Sequence, residues 1–177
     1  MADDSLAKRI YDTAHITGEF TLRSGAKSNE YFDKYLFEAN PPLLHDIAAA
    51  MVKLLPPDVE ALAGLEMGGI PIATLLSQLT GLPVLFVRKH AKEYGTCKIA
   101  EGGQVSGRKL LIVEDVVTSG GAILDAAKAL RAEGAVLAHV VCVIDRESGG
   151  PAKLANADLI LSPLFSMSEL KRAAEVS

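Results

Sequence analysis

Cysteine is scarce in this chain of 177 residues: only Cys97 and Cys142 occur, far apart and in unlike contexts. A disulfide framework and a thiolate metal site are therefore both weak readings. Histidine is equally thin. His15, His45, His90 and His139 are scattered without metal-ligand spacing, so each reads as a surface or capping residue. No long basic run occurs and the formal net charge is −4 at pH 7, which argues against a broad nucleic-acid-binding face. No apolar run reaches the roughly 18 residues that a bilayer-spanning helix needs. The opening residues, MADDSLAKRIYD, carry two early acids and no apolar centre, so they do not read as a secretory signal. The expectation is a cytoplasmic protein that meets neither nucleic acid nor membrane. Its length suits one domain, residues 1–177, with a substantial core.

What is present alternates between strand-like and helix-like stretches. Leu6 to Thr13 reads as a short helix. Phe20 and Leu22 alternate with polar residues, Ser24-Gly25 turns the chain, and Tyr31-Phe32-Asp33 returns, which predicts a hairpin hood within about residues 1–40. Asn40-Pro41-Pro42 starts a helix to about Leu55, with Leu44, Ile47, Ala48, Met51 and Leu55 on one face. Ala61 to Ala63 is a strand, Pro71 to Thr80 a helix ended by Gly81, and Val84 to Val87 a strand. Arg88 to Arg108 is polar, charged and Gly-rich, and reads as a long loop of the kind that often serves as a lid. Val136 to Ile144 and Leu159 to Leu161 are further strands, and Met167 to Ala174 a terminal helix. Strands joined by crossover helices predict an α/β fold with a mainly parallel central sheet flanked by helices, its core spanning about residues 41–165. Ligands of such sheets sit beyond the carboxyl ends of the strands. The turns at Leu65–Ile70, after Val87, at Glu114–Ala122 and at Asp145-Arg146 should converge there.

The most informative stretch is LLIVEDVVTSGGAIL, Leu110 to Leu124. Four apolar residues form a buried strand that ends in Glu114 and Asp115. Ile123, Ala126, Ala127 and Leu130 then recur at helical spacing. Between them lies a small Gly-bearing turn that opens a helix, where free backbone N–H groups and the positive helix end favour phosphate. The bland reading is a strand–turn–helix with an acidic lip. Common nucleotide motifs fail: GxGxxG is absent. GGQVSGRK, Gly102 to Lys109, has Arg108 where a P-loop needs Lys, and it precedes a strand instead of following one.

VEDVVTSGGA resembles the phosphoribosyl pyrophosphate (PRPP) signature of type I phosphoribosyltransferases. Four more segments, in family order, extend the likeness to the orotate phosphoribosyltransferase family: FTLRSGAKSNEYFD, GLEMGGIP, RKHAKEYGT and DRESGG. The resemblance implies the type I phosphoribosyltransferase fold with a small N-terminal hood, and transfer of the 5-phosphoribosyl group of PRPP to orotate in UMP biosynthesis. Mg²⁺ is implied as cofactor, carried mainly through PRPP with Asp115 nearby and no protein side chain assigned as a ligand. A homodimer that shares the 88–108 loop across subunits is implied as well.

Carried over residue by residue, the resemblance places the ribose 5-phosphate on Thr118, Ser119, Gly120, Gly121 and Ala122. It sets Glu114 and Asp115 beside the ribose hydroxyls, with Asp115 also near the positive charge that develops on the sugar. Arg88, Lys89, Lys92 and Tyr94 would meet PRPP from the loop, with Lys92 as the catalytic lysine assisted by Lys89. Gly68 and Gly69 would offer backbone N–H groups to pyrophosphate. Some relatives carry Lys in place of Gly68, so one cation is missing, and Lys98 is a candidate replacement. For orotate, the resemblance implies Arg23, Tyr31, Phe32, Thr118 and Arg146. Plainer readings stay open: a solvated charged loop for Arg88 to Lys92, an ion pair of Arg146 with Asp145 or Glu147, and strand aromatics serving only the core. Glu66 either faces the site or caps the following helix. Cys142 reads as core and Cys97 as exposed. Two other functions compete, a phosphoribosyltransferase for a different base and a PRPP-sensing regulator without catalysis.

Overall fold

The structure, a computed structural model, describes residues 4–21, 25–90 and 98–175. The N-terminal part is a helix, α1 (Asp4–Ala14), followed by an antiparallel hairpin of β1 (His15–Thr21) and β2 (Lys27–Phe32). The predicted hood is thus present, with β1 starting at His15. A short helix, α2 (Lys34–Glu38), follows at once, capped by Asp33, whose side chain accepts from Tyr35 N. Five residues give too little periodicity for the sequence to predict a helix there.

Asn40 caps α3 (Pro41–Met51) by accepting from Leu43 N, and both prolines sit in the first turn, where no intrahelical N–H is needed. The helix ends at Met51 and a 3₁₀ turn, Val52–Leu54, replaces its predicted last turn. Next come β3 (Ala61–Leu65), α4 (Gly69–Thr80) and β4 (Val84–Val87). Gly81, in the left-handed region at φ 76°, closes α4. The predicted 88–108 loop carries a two-residue strand, β5 (Ala100–Glu101), antiparallel to β4. The rest is β6 (Lys109–Val117), α5 (Gly121–Ala132), β7 (Val136–Asp145), α6 (Gly150–Ala155), β8 (Ile160–Ser166) and α7 (Met167–Glu175). The last strand runs longer than predicted, through Pro163. It is a sheet edge, where a residue without an N–H is tolerated.

The central sheet has strand order β5-β4-β3-β6-β7-β8 and is parallel except for β5. From β3 the chain first winds outward to β4, then returns to lay β6 on the other side of β3. That reversal opens a crevice at the carboxyl ends of β3 and β6. Two buried clusters cover the two faces. Leu111 and Val113 of β6 join Ile47, Met51, Ile72 and Leu76 on one face. Leu110 and Ile112 join Ile123, Ala127, Leu130 and Leu154 on the other. Burial of these side chains stabilises each face by roughly 1.5–3 kcal/mol per large residue. Alternation along β6 therefore decides which face each of its two acids will meet.

Candidate functional site

A cavity of about 500 Å³ opens at that crevice. It is lined by Leu65 and Glu66 after β3, by Val87 to His90 after β4, and by Glu114, Val116, Val117 and the turn Thr118 to Ala122 after β6. The turn passes through Gly120 at φ 76°, a conformation suited to glycine, before α5 begins at Gly121. The first N–H groups of α5 thus face a concave, cation-flanked space, the geometry of a phosphate site. The turn cannot shift away, because α6 packs tightly beneath it: a Cβ on Gly150 would lie 2.7 Å from Thr118 O.

Glu66 resolves toward the site. Its Oε1 accepts from Lys89 N at 2.5 Å, and α4 starts without a side-chain cap. Arg88 lies 3.9 Å from Glu101 across β4 and β5, too long for a hydrogen bond, and still lines the cavity. Lys98 is exposed and is not part of the cavity wall.

The two acids of β6 part company, and the strand runs past them to Val117. Glu114 continues the Leu110–Ile112 face and borders the cavity. Burial, and then the neighbouring Asp115, hold its carboxyl well above the usual range. Asp115 continues the Leu111–Val113 face, has a side chain only 1 % exposed, and meets Lys34 Nζ at 2.5 Å. Burial alone would raise its pKa. Hydrogen bonds with Glu38, Glu114 and Lys34 outweigh burial and hold it below the ordinary value. Glu38 is buried and pushed up to about 8, first by burial and then by Asp115. Alternation is the physical reason that the adjacent acids are not brought together in one pocket.

Gly68 and Gly69 are also placed by packing. A Cβ on Gly69 would fall 2.3 Å from Val113 O, so the start of α4 lies directly on β6. The Glu66–Met67 peptide just before them is cis.

A second pocket, of about 220 Å³, lies under the hood between Tyr11, His15, Ser28, Glu30, Tyr31, Phe32, Arg146, Met167 and Lys171. Arg146 N donates to Val117 O at 2.8 Å, which ties this pocket to the wall of the first. The acids once available to Arg146 are engaged elsewhere. Asp145 accepts from Glu147 N, and Glu147 accepts from the backbone N–H and hydroxyl of Ser168. His15, expected as a surface or capping residue, is half-buried at the wall of this pocket, where it pairs with Glu30 at 2.8 Å and stacks on Tyr11. Cys142 is buried, as its place in an apolar strand implies.

The cavity therefore gathers Arg88, Lys89, Glu114 and Thr118 to Ala122, and the second pocket gathers Tyr31, Phe32 and Arg146. Arg23, Lys92 and Tyr94 lie outside the described residues. Sequence reasoning missed Lys34, Glu38, Lys171 and the Glu147–Ser168 link. Only Asp33, a capping residue before a short run of helix formers, signalled α2.

Among the described residues no cluster of three His, Cys, Asp or Glu side chains could hold a metal. The wall carries three carboxylates, Glu66, Glu114 and Asp125, and one or two of them together with substrate phosphates are nevertheless a donor set that Mg²⁺ accepts. Among the described residues no helix is long and apolar enough to cross a membrane.

A parallel sheet with a phosphate turn and an acid at its switch point suits an enzyme of phosphorylated substrates, and residues 37–168 match the family model for the phosphoribosyl transferase domain, which makes the class a phosphoribosyltransferase. A curated relative from Nocardioides sp., orotate phosphoribosyltransferase, is 54 % identical over 173 residues, spanning 98 % of this chain and 97 % of the relative. The crystal structure of Mycobacterium tuberculosis H37Rv orotate phosphoribosyltransferase with Fe(III) dicitrate superposes with a TM-score of 0.86 at 28 % identity, covering 94 % of this chain and 97 % of the other. The same enzyme in complex with PRPP gives a TM-score of 0.81 at 25 % identity, over 95 % and 98 % of the two chains. The chain belongs to the orotate phosphoribosyltransferase family, and its fold is the type I phosphoribosyltransferase fold.

Proposed function

We propose that this protein is an Mg²⁺-dependent orotate phosphoribosyltransferase that converts orotate and PRPP to orotidine 5′-monophosphate and pyrophosphate. The observation that carries the reading is the cavity at the switch point. There the helix-opening turn Thr118 to Gly121, the Glu114 carboxyl and the basic residues Arg88 and Lys89 face one space.

N1 of the anionic orotate attacks C1 of the ribose as the bond to pyrophosphate breaks. Positive charge builds on the sugar and negative charge on the leaving group. Little general-base help is needed, so charge placement and orientation dominate. The turn holds the 5-phosphate, the end of PRPP that does not react. Glu114 borders the ribose. Arg88 and Lys89 face the leaving group, joined by Lys92 and Tyr94 from the stretch outside the described residues. When bound, Mg²⁺ neutralises the diphosphate and makes it a better leaving group. Arg146, Lys171 and the flat surfaces of Tyr31 and Phe32 suit a planar anion, which favours orotate over a neutral base. Arg23 completes the orotate set from outside the described residues. The protein acts in the cytoplasm in UMP synthesis, as a homodimer in which the 88–108 loop reaches the neighbouring site.

The test is to incubate the protein with PRPP, Mg²⁺ and orotate and follow the loss of orotate absorbance. Turnover that disappears on chelation of Mg²⁺ is the expected result. Absence of turnover in both directions overturns the reading. A panel of other bases under the same conditions separates orotate from rival substrates, and PRPP binding without turnover of any base would identify a regulator.

A further inference from the structure

Position 68 is a glycine set against two acids. A Cβ there would stand 1.7 Å from Asp115 Oδ2 and 2.8 Å from Glu38 Oε1. The turn that opens α4 thus has no room for a side chain of its own. The cation in this corner comes instead from α2: Lys34 Nζ lies 2.5 Å from the same Asp115 oxygen. Lys34 is firmly delivered. Asp33 caps its helix, and Phe37, one turn on, is wholly buried. Its ammonium also lies 5.1 Å from the Tyr35 ring centroid.

On the reading above, pyrophosphate departs toward Arg88 and Lys89, and Lys89 N is held by Glu66 at the head of the α4 turn, so negative charge builds next to that turn. Asp115, buried on β6 against that turn, would oppose the charge if left unpaired, since buried charges are little screened. We propose that Lys34 is a positioning residue for pyrophosphate departure: seated in the corner that Gly68 leaves open, it cancels the charge of Asp115 and fixes that carboxyl against the turn. Glu38 completes the arrangement. Its Oε1 is buried in the same corner, 2.8 Å from where a Cβ of residue 68 would stand, and burial and then Asp115 push its carboxyl up to about 8, which favours the protonated form beside Asp115. The inference deepens the orotate-transfer reading and rests on it.

The experiment is steady-state kinetics of Lys34→Met and Lys34→Arg against wild type. A misplaced catalytic environment costs about 10²-fold, so kcat/KM for PRPP should fall by about that factor in Lys34→Met, with KM for orotate unchanged and much of the loss recovered in Lys34→Arg. Activity of Lys34→Met within about twofold of wild type, or equal impairment in both variants, would overturn the proposal. Should Lys34→Met not fold, Asp115→Asn is compared with Asp115→Asn/Lys34→Met, which removes both charges. Equal rates in that pair support action through Asp115, and a further large loss in the double variant contradicts it. Wild-type turnover of orotate, measured alongside, tests the orotate reading separately, since it does not depend on position 34.

Discussion

Glu114 and Asp115 are adjacent on one strand and both are buried, yet their surroundings push their carboxyls in opposite directions. Glu114 faces the cavity and is held toward its neutral form by burial and by its neighbour. Asp115 faces α2 and is held ionised, against burial, by Glu38, Glu114 and Lys34. One residue of strand register separates two environments, because successive side chains leave a strand on opposite faces. An acid pair in sequence therefore meets two different surroundings in space while staying coupled across the strand. The cavity-side acid is available to substrate and its cation, whereas the other acid is an element of the frame, already paired. Environments that drive two carboxyls apart in this way commonly mark a division of roles at an active site.

The sharpest test of that division compares Glu114→Gln with Asp115→Ala. Glu114→Gln should lower kcat/KM by about 10²–10³-fold, the usual cost of a group that meets developing charge. Its folding stability should change by less than about 1 kcal/mol, since the amide mimics a carboxyl already biased to neutrality. Asp115→Ala should instead cost about 3 kcal/mol of stability, because it strands Lys34 and Glu38. Urea unfolding and initial rates on both variants decide. Equal losses in both readouts would mean that the two acids act as one unit.

The cavity half of this picture was legible because it is local in sequence. An apolar run, two acids, Thr118 to Gly121 and then helical periodicity are contiguous, and their chemistry follows from a strand–turn–helix. The frame half was not legible. Asp115's partners come from a five-residue helix some eighty positions earlier, and no periodic signal marks it. The same holds for the pocket under the hood, where Tyr11 and Lys171 come from opposite ends of the chain as α1 packs on α7. The missing side chain at Gly68 was visible as a lost cation. That the loss leaves room for Asp115 and Lys34 is a matter of tertiary packing alone.

Glu38 offers a test by pH. Its folded pKa, about 8, stands above the ordinary value of 4.5. Between those values the folded protein binds the extra proton, so stability should decline as pH rises through this window and then level off. Of the neighbouring groups, Glu114 is likewise raised by burial and adds to the same decline, so the Glu38 share is the difference between wild type and its variant, whereas Asp115 and Lys34 do not titrate there. Asp115 is held lower, so its contribution is lost only on acidification below its ordinary 3.8. Lys34 is raised, so its contribution persists until pH climbs past 10.5. Glu38→Gln should flatten the stability–pH curve between about 4.5 and 8 while leaving the acid limb intact. An unchanged slope would show that Glu38 shares no proton with Asp115.

The smallest expected effect lies at the edge of the second pocket. Glu147 follows Arg146 directly, adopts φ 56°, and is latched to the start of α7 by Ser168. A residue other than glycine in that region carries a conformational cost. The latch offsets that cost and thereby fixes the peptide that aims Arg146. Ser168→Ala removes the hydroxyl bond and leaves the N–H bond, a loss of about 1 kcal/mol. KM for orotate should rise by roughly fivefold, with KM for PRPP and kcat unchanged. Glu147→Gly is the control that separates strain from latch. Glycine adopts the positive φ freely but cannot bond to Ser168. If KM for orotate rises in Glu147→Gly as it does in Ser168→Ala, the latch aims Arg146. If Glu147→Gly matches wild type, the backbone turn alone suffices, and α7 has no part in holding the base.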